Sequence, residues 1–323
     1  MPTDFWISLV LVFFVGVAVQ RGNTCTVVAF DDIVHRRSVD RFLGIAYCWL
    51  LVAGGLTLLN LATGFVPVAK LFPVTAWSVA GGLLLGIGAV VNGACTTGTV
   101  ARIGSGEYVF ATAIVGFFLG CLLAPRVFPR AATTHLGTSP VTTSLDHPVI
   151  AVAGLVVVIA VTVRRWITGS HESVAAFLRN TWDPRTANLV IALLFVALVQ
   201  ISGAWSYTDL LGDLSRGRTT ESVQRILFLV ALLGGAVLAG RTQRGARQIG
   251  PLAPRMVRCG IGGLVMGIGF SIAPGAFDGL TLFGQPLLLP YAWVVMLSSY
   301  ASIVAGLLWL RSRMGSRVKA RRG

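Results

Sequence analysis

Charge is what this chain has least of. Only 12% of its 323 residues are Asp, Glu, Lys or Arg, about half the roughly 25% usual in soluble domains. Acidic residues are the rarest, with 12 Asp and Glu against 26 Lys and Arg, and no polar stretch is long enough for a separate soluble domain. Paired cysteines are missing as well. Cys25, Cys48, Cys95, Cys121 and Cys259 show no CxxC spacing, which argues against a zinc site or a disulfide framework. HExxH, GxxxxGK[ST] and any defensible Ser/His/Asp arrangement are absent, so no enzyme chemistry, metal or other cofactor is expected.

What is present is apolar. Hydrophobic residues make up 55% of the chain and the mean hydropathy is +0.79. Several runs approach the roughly 20 residues that cross a bilayer as a helix. The expectation is an all-α polytopic membrane protein forming a single membrane domain over 1–323, in contact with lipid. About nine helices are expected, near 5–19, 43–62, 75–91, 109–124, 148–163, 187–203, 226–240, 259–273 and 291–310. Several are shorter than a full crossing, as tilted or interrupted helices are; broken backbone inside a membrane survives only when buried in protein or lining a cavity. The run Phe5–Val19 has no basic leader before it and no small-residue cleavage pattern, and it reads as a retained helix.

The net charge of +14 does not point to nucleic acid. Basic residues gather in the loops around Arg36–Arg41, Arg164–Arg185 and Arg241–Arg258 and in the tail 311–323, as cytoplasmic loops of inner-membrane proteins do. This places the N-terminus outside and the C-terminus in the cytoplasm of a cell with an inner membrane. Lys70, Arg126, Arg130, Arg216, Arg218 and Arg225 then fall outside, against the trend. The Pro-containing stretch 125–147 reads as an external loop.

The chain also repeats itself. GGLLLGIG from Gly81 and GGLVMGIG from Gly262 agree at six of eight positions. FVGVAVQ at 14–20 resembles FVALVQ at 195–200 at nearly the same offset. Pseudo-repeats of about 5–124 and 187–310 follow. Their equivalent helices are five apart, an odd number, so the halves are expected to be inverted, the arrangement in which transporters place a midplane site between broken or re-entrant helices. The GxxxG spacings at Gly82–Gly86, Gly116–Gly120 and Gly263–Gly267 read as close helix packing.

Three breaks carry the candidate chemistry. QRGNTCTVVA at 20–29 and NGACTTGTV at 92–100 each follow an apolar helix with a small polar turn and one cysteine. Gly93 and Gly98 allow tight turns and close backbone approach. Thr96 and Thr97 are expected to cap a new half-helix, whose N-terminus favours an anion through free N–H groups and the helix dipole. Asn92 adds a polar contact. Cys25 and Cys95 offer soft, weakly donating thiols, suited to a ligand with sulfur atoms. The third break is PGAFDG at 274–279, with Gly275, Gly279 and Asp278, an ionisable residue at expected membrane depth.

On these residues the chain resembles the YeeE/YedE sulfur transport family, which includes thiosulfate importers. The resembling segments are QRGNTCTVVAFDDIV at 20–34, GIGAVVNGACTTGTVARIGSGE at 86–107 and APGAFDGLTLFGQPLLLPYAW at 273–293. The resemblance implies an inner-membrane helical protein that passes a small sulfur-containing anion, foremost thiosulfate, between central cysteines. It also implies that a small cytoplasmic sulfurtransferase receives the sulfur in some members. It implies three pathway cysteines; Cys25 and Cys95 match two, while Gly275-Ala276 stands where a Gly-Cys pair is expected. The alternatives are a membrane thiol protein carrying persulfide on Cys25 or Cys95, and an accessory subunit of a membrane complex. With no nucleotide site, transport would be passive or ion-coupled.

Overall fold

The structure is a computed structural model that describes residues 3–128, 138–140, 156, 160, 180–218, 222–243 and 251–320. It is almost wholly helical. The first half contains α1 (Thr3–Gly22), α2 (Thr26–Asp31, continued by a π turn to Arg36), α3 (Asp40–Thr63), α4 (Ala76–Asn92), α5 (Thr96–Gly104) and α6 (Ala111–Val127). The second contains α7 (Pro184–Ser202), α8 (Tyr207–Ser215), α9 (Ser222–Arg241), α10 (Leu252–Ile272), α11 (Phe277–Gly279, continued by a π turn to Gly284) and α12 (Pro290–Ala320). A short antiparallel pair, β1 (Val68–Lys70) with β2 (Thr138–Pro140), lies between.

Eight helical segments among the described residues are long and apolar enough to cross a membrane. The pattern of exposure agrees. Trp6, Leu61, Val115, Leu193 and Val230 face outward, while Ser8, Asn92, Thr208 and Ser299 are fully buried. This is a polytopic membrane protein with an apolar exterior. The expected helix 148–163 lies outside the described residues except at 156 and 160, and so does most of the expected loop 125–147. Residues 125–127 are the last turn of α6 and not loop.

Several helices extend beyond the apolar runs that mark them in the sequence. Those at 226–240 and 259–273 run over Ser222–Arg241 and Leu252–Ile272. Hydropathy falls where Arg225, Arg255 and Arg258 appear, but backbone hydrogen bonding continues through them. The helix at 75–91 is interrupted instead of short. It stops at Gly93, whose φ of 83° is costly for any residue with a Cβ, and the chain restarts as α5.

The halves share an order of elements. Thr26 and Tyr207 open short helices after α1 and α7, and Thr96 and Phe277 open short helices after α4 and α10. Packing follows suit: α1 lies on α9 as α7 lies on α3, and α6 lies on α10 as α12 lies on α4. Small residues permit these contacts. Gly82 and Gly86 press on the backbone of Val295 and Ser299, and Gly263 and Gly267 on that of Ala113 and Phe117. The GxxxG pairs are packing surfaces, as expected.

The basic loops meet on one face. The Arg21 carbonyl accepts the Trp182 N–H at 3.0 Å and the Arg21 guanidinium bonds the Thr242 hydroxyl. Arg185 pairs with Asp40 at 3.6 Å, and Arg311 donates to the Val34 carbonyl at 3.3 Å.

Candidate functional site

Four short helices begin near the centre of the molecule. The first two are tied through their cysteines. Cys25 and Cys95 stand in extended backbone at the N-caps of α2 and α5. The Thr26 N–H of α2 donates to Cys95 Sγ at 3.3 Å, and the Cys95 N–H donates to Cys25 Sγ at 3.5 Å. Each thiol therefore sits at the other's helix start. Cys95 Sγ also accepts the Gly98 N–H at 3.4 Å. Both are buried, at 4% and 1% exposure. These are the N–H groups that a helix leaves free and that attract an anion, and here soft sulfur occupies them.

The sequence expected Thr96 and Thr97 to cap α5. Cys95 takes that role, because the turn places its Sγ and not a threonine hydroxyl within reach of the Gly98 amide. Thr96 is freed to donate to Asp278 Oδ1 at 3.0 Å, and Thr97 lines a cavity. Gly98 lies inside α5 and shapes no turn; a Cβ there would overlap Cys25 Sγ. Gly279 is likewise helical, with φ −67°, whereas Gly275 makes its break at φ 110°. Asn92 works on the break itself, donating through Nδ2 to the Ala94 carbonyl at 2.8 Å and Thr99 Oγ1 at 3.0 Å.

The other two helix starts meet through a carboxylate. Asp278, 7% exposed, accepts the Thr208 hydroxyl on Oδ1 at 2.8 Å and the Thr208 N–H on Oδ2 at 3.4 Å. The Tyr207 hydroxyl donates to the Thr96 carbonyl at 2.9 Å, joining α8 to α5. Ser206 caps α8 by accepting the Asp209 N–H at 3.2 Å. Ala276 is the N-cap of α11, in extended backbone and fully buried. It holds the place in the second half that Cys95 holds in the first.

Two cavities flank this centre. The larger one, about 220 Å³ and called outer after the orientation expected from the loop charges, runs from Lys70, Arg216, Arg218 and Arg225 down to Ser206, Asp209, Gly275 and Gly279. The inner one, about 70 Å³, touches Thr24, Cys48, Thr97, Tyr207 and Asp278 among apolar residues. Trp205 lines both, and its buried indole N–H has no hydrogen-bond partner among the described residues. Lys70, Arg216, Arg218 and Arg225, four of the basic residues that ran against the loop charge trend, thus form a cavity wall. Arg225 pairs with Asp213 at 2.8 Å and Arg218 at 3.6 Å, while Arg216 lies 5.8 Å over the Phe270 ring. Ser206, Tyr207 and Thr208 were not singled out from sequence. The offset of 181 between Gly81 and Gly262 leads from Cys25 and Thr26 to Ser206 and Tyr207, where no cysteine stands.

A family profile described as sulphur transport matches residues 21–305. The chain belongs to the sulphur transport family. Among its relatives, the Escherichia coli (strain K12) thiosulfate transporter TsuA is 25% identical over 315 residues, covering 86% of this chain and 87% of that one. The thiosulfate transporter TsuA of Spirochaeta thermophila is 25% identical over 327 residues, covering 90% and 94%. The profile match spans the whole lining of the larger cavity and all four short helices.

Proposed function

We propose that this protein carries thiosulfate across the inner membrane, with its N-terminus outside and its basic face in the cytoplasm. The two halves are then inverted about the midplane, counting the expected crossing at 148–163. The observation that best supports this reading is the exchange of thiols between the starts of α2 and α5.

The anion enters the outer cavity, drawn by Lys70, Arg216, Arg218 and Arg225, since a cleft lined with one sign of charge raises the local concentration of its counter-ion. It passes Trp205 and reaches the centre, where Thr96, Thr97 and the amides of the short helices offer donors. Cys95 and then Cys25 contact its sulfur. A neutral thiol donates weakly, so each contact holds the anion without trapping it in an ion pair. Gly93 and Gly275 keep the breaks open, Asn92 holds the first one, and Gly98 and Gly279 leave room beside the path. On the basic face a small sulfurtransferase takes over the sulfur. The protein itself makes no covalent bond to the anion and acts as a carrier, not an enzyme.

Uptake of radiolabelled thiosulfate into proteoliposomes tests this. Wild type should accumulate label, and Cys25→Ala and Cys95→Ala should not while eluting as folded protein. Unchanged uptake in Cys95→Ala, or none in wild type, would overturn the reading.

A further inference from the structure

We propose that Asp278 binds a second transported species, the proton, and that the anion crosses together with it. This deepens the thiosulfate reading above and rests on it.

Three carboxylates with buried side chains can be compared. Asp32 is held by Arg41 at 2.7 Å. Glu107 is held by Arg102 at 2.7 Å and Arg255 at 2.6 Å. Both have an arginine as a permanent counter-charge. Asp278 has the Thr96 and Thr208 hydroxyls and one backbone amide as its hydrogen-bond partners, and no cation pairs with it among the described residues. A hydroxyl both donates and accepts. The same two threonines can therefore donate to the ionised carboxylate and accept from the protonated acid, without rearrangement of the helices that carry them. Arginine partners have no such freedom.

Position adds the second argument. Asp278 lines the inner cavity with Thr97 and Tyr207, on the route between the basic outer cavity and the thiols. An ionised carboxylate there repels an approaching anion at close range in a poorly screened interior. Neutralising it removes that repulsion, so anion and proton each favour binding of the other, and the coupling is reciprocal. A second carboxylate stands between this turn and the outer cavity. Asp209 opens onto the outer cavity, and a Cβ at Gly279, the residue after Asp278, would lie 3.4 Å from Asp209 Oδ2. The ionisable groups facing Asp278 are Asp209 and Tyr207 from α8, with Cys95 from α5 beyond Thr96. Lys70 and Arg225 act on Asp209 from across the outer cavity. The balance is simple: the carboxylate gains a proton on the outer side with the anion and loses it on the inner side as the anion leaves, and no bond to sulfur changes.

The experiment uses the full chain in proteoliposomes with the membrane potential clamped to zero and thiosulfate as the probe. An inside-alkaline gradient should drive thiosulfate accumulation by about tenfold per pH unit for one proton per anion, and a trapped pH dye should report acidification inside as thiosulfate enters. In Asp278→Asn, whatever uptake remains should run without proton movement, and Asp278→Glu should restore the coupling. Accumulation by wild type with no dye response, or an unaltered response in Asp278→Asn, overturns proton coupling while leaving the thiosulfate reading intact. Absence of thiosulfate uptake by wild type overturns both. The wild-type measurement decides the matter even if the asparagine variant does not fold.

Discussion

The two halves of the molecule solve one problem with different chemistry. Each starts two short helices near the centre and must satisfy their free N–H groups away from water, because an orphaned buried amide is costly. The first half uses thiols: Cys95 Sγ meets the Thr26 amide at the start of α2. The second uses a carboxylate: Asp278 Oδ2 meets the Thr208 amide near the start of α8. Ala276 stands at the N-cap where a third thiol is expected from the resemblance, and Asp278, two residues on, does the hydrogen bonding. The lesson is that a helix start can be satisfied by different side-chain chemistry from a neighbouring position. The second half thereby carries a carboxylate at its break, the group on which the proposed proton coupling rests.

Removing a thiol should do most to break this comparison. Cys95→Ala deletes the acceptor for Thr26 and Gly98 and the proposed contact to the anion. Hydrogen bonds to charged groups contribute about 1.5–3 kcal/mol, so initial thiosulfate uptake should fall by at least about tenfold. Gly98→Ala leaves both thiols in place but crowds Cys25 Sγ. Overpacking of this kind costs about 1–3 kcal/mol, read as a lower unfolding temperature in detergent together with reduced uptake, and a fully active, equally stable variant would show that the close approach is unimportant.

Ala276→Cys sharpens the contrast from the other side by giving the second half its own thiol. The site is fully buried, so the added sulfur should lower stability by about 1 kcal/mol while changing uptake by a few-fold at most. The smallest effect is expected at the outer cavity. Arg216→Gln with Arg218→Gln should raise the half-saturating thiosulfate concentration by a few-fold at low ionic strength and less at high salt, as wall charges act mainly on encounter. A salt-independent loss would instead place these arginines in direct contact with the anion.

Much of this was legible along the chain. Long apolar runs with sparse charge can only be helices in lipid, because every backbone group must be satisfied within its own segment. The breaks at Asn92–Cys95 and Pro274–Asp278 announced themselves through glycine and proline beside polar residues in apolar surroundings. The repeat offset tied them together. Cys25, Cys95 and Asp278 could be marked because thiols and carboxylates at broken helices have few structural uses in membrane interiors.

Other features depended on distance in space. No local pattern says that Cys25 reaches the start of α5 and Cys95 the start of α2, since those contacts join residues 70 and 69 positions apart. The capping role passed from Thr96 to Cys95 through a turn geometry set by Gly93 and Asn92, and the Thr96 hydroxyl went to Asp278, 182 positions away. Lys70, Arg216, Arg218 and Arg225 looked like exceptions to a charge rule until folding gathered them around one cavity. Periodicity and composition are local averages and can place a helix in a membrane. Which helix start faces which side chain is decided by packing between distant segments, and the chemistry of this centre lies in those pairings.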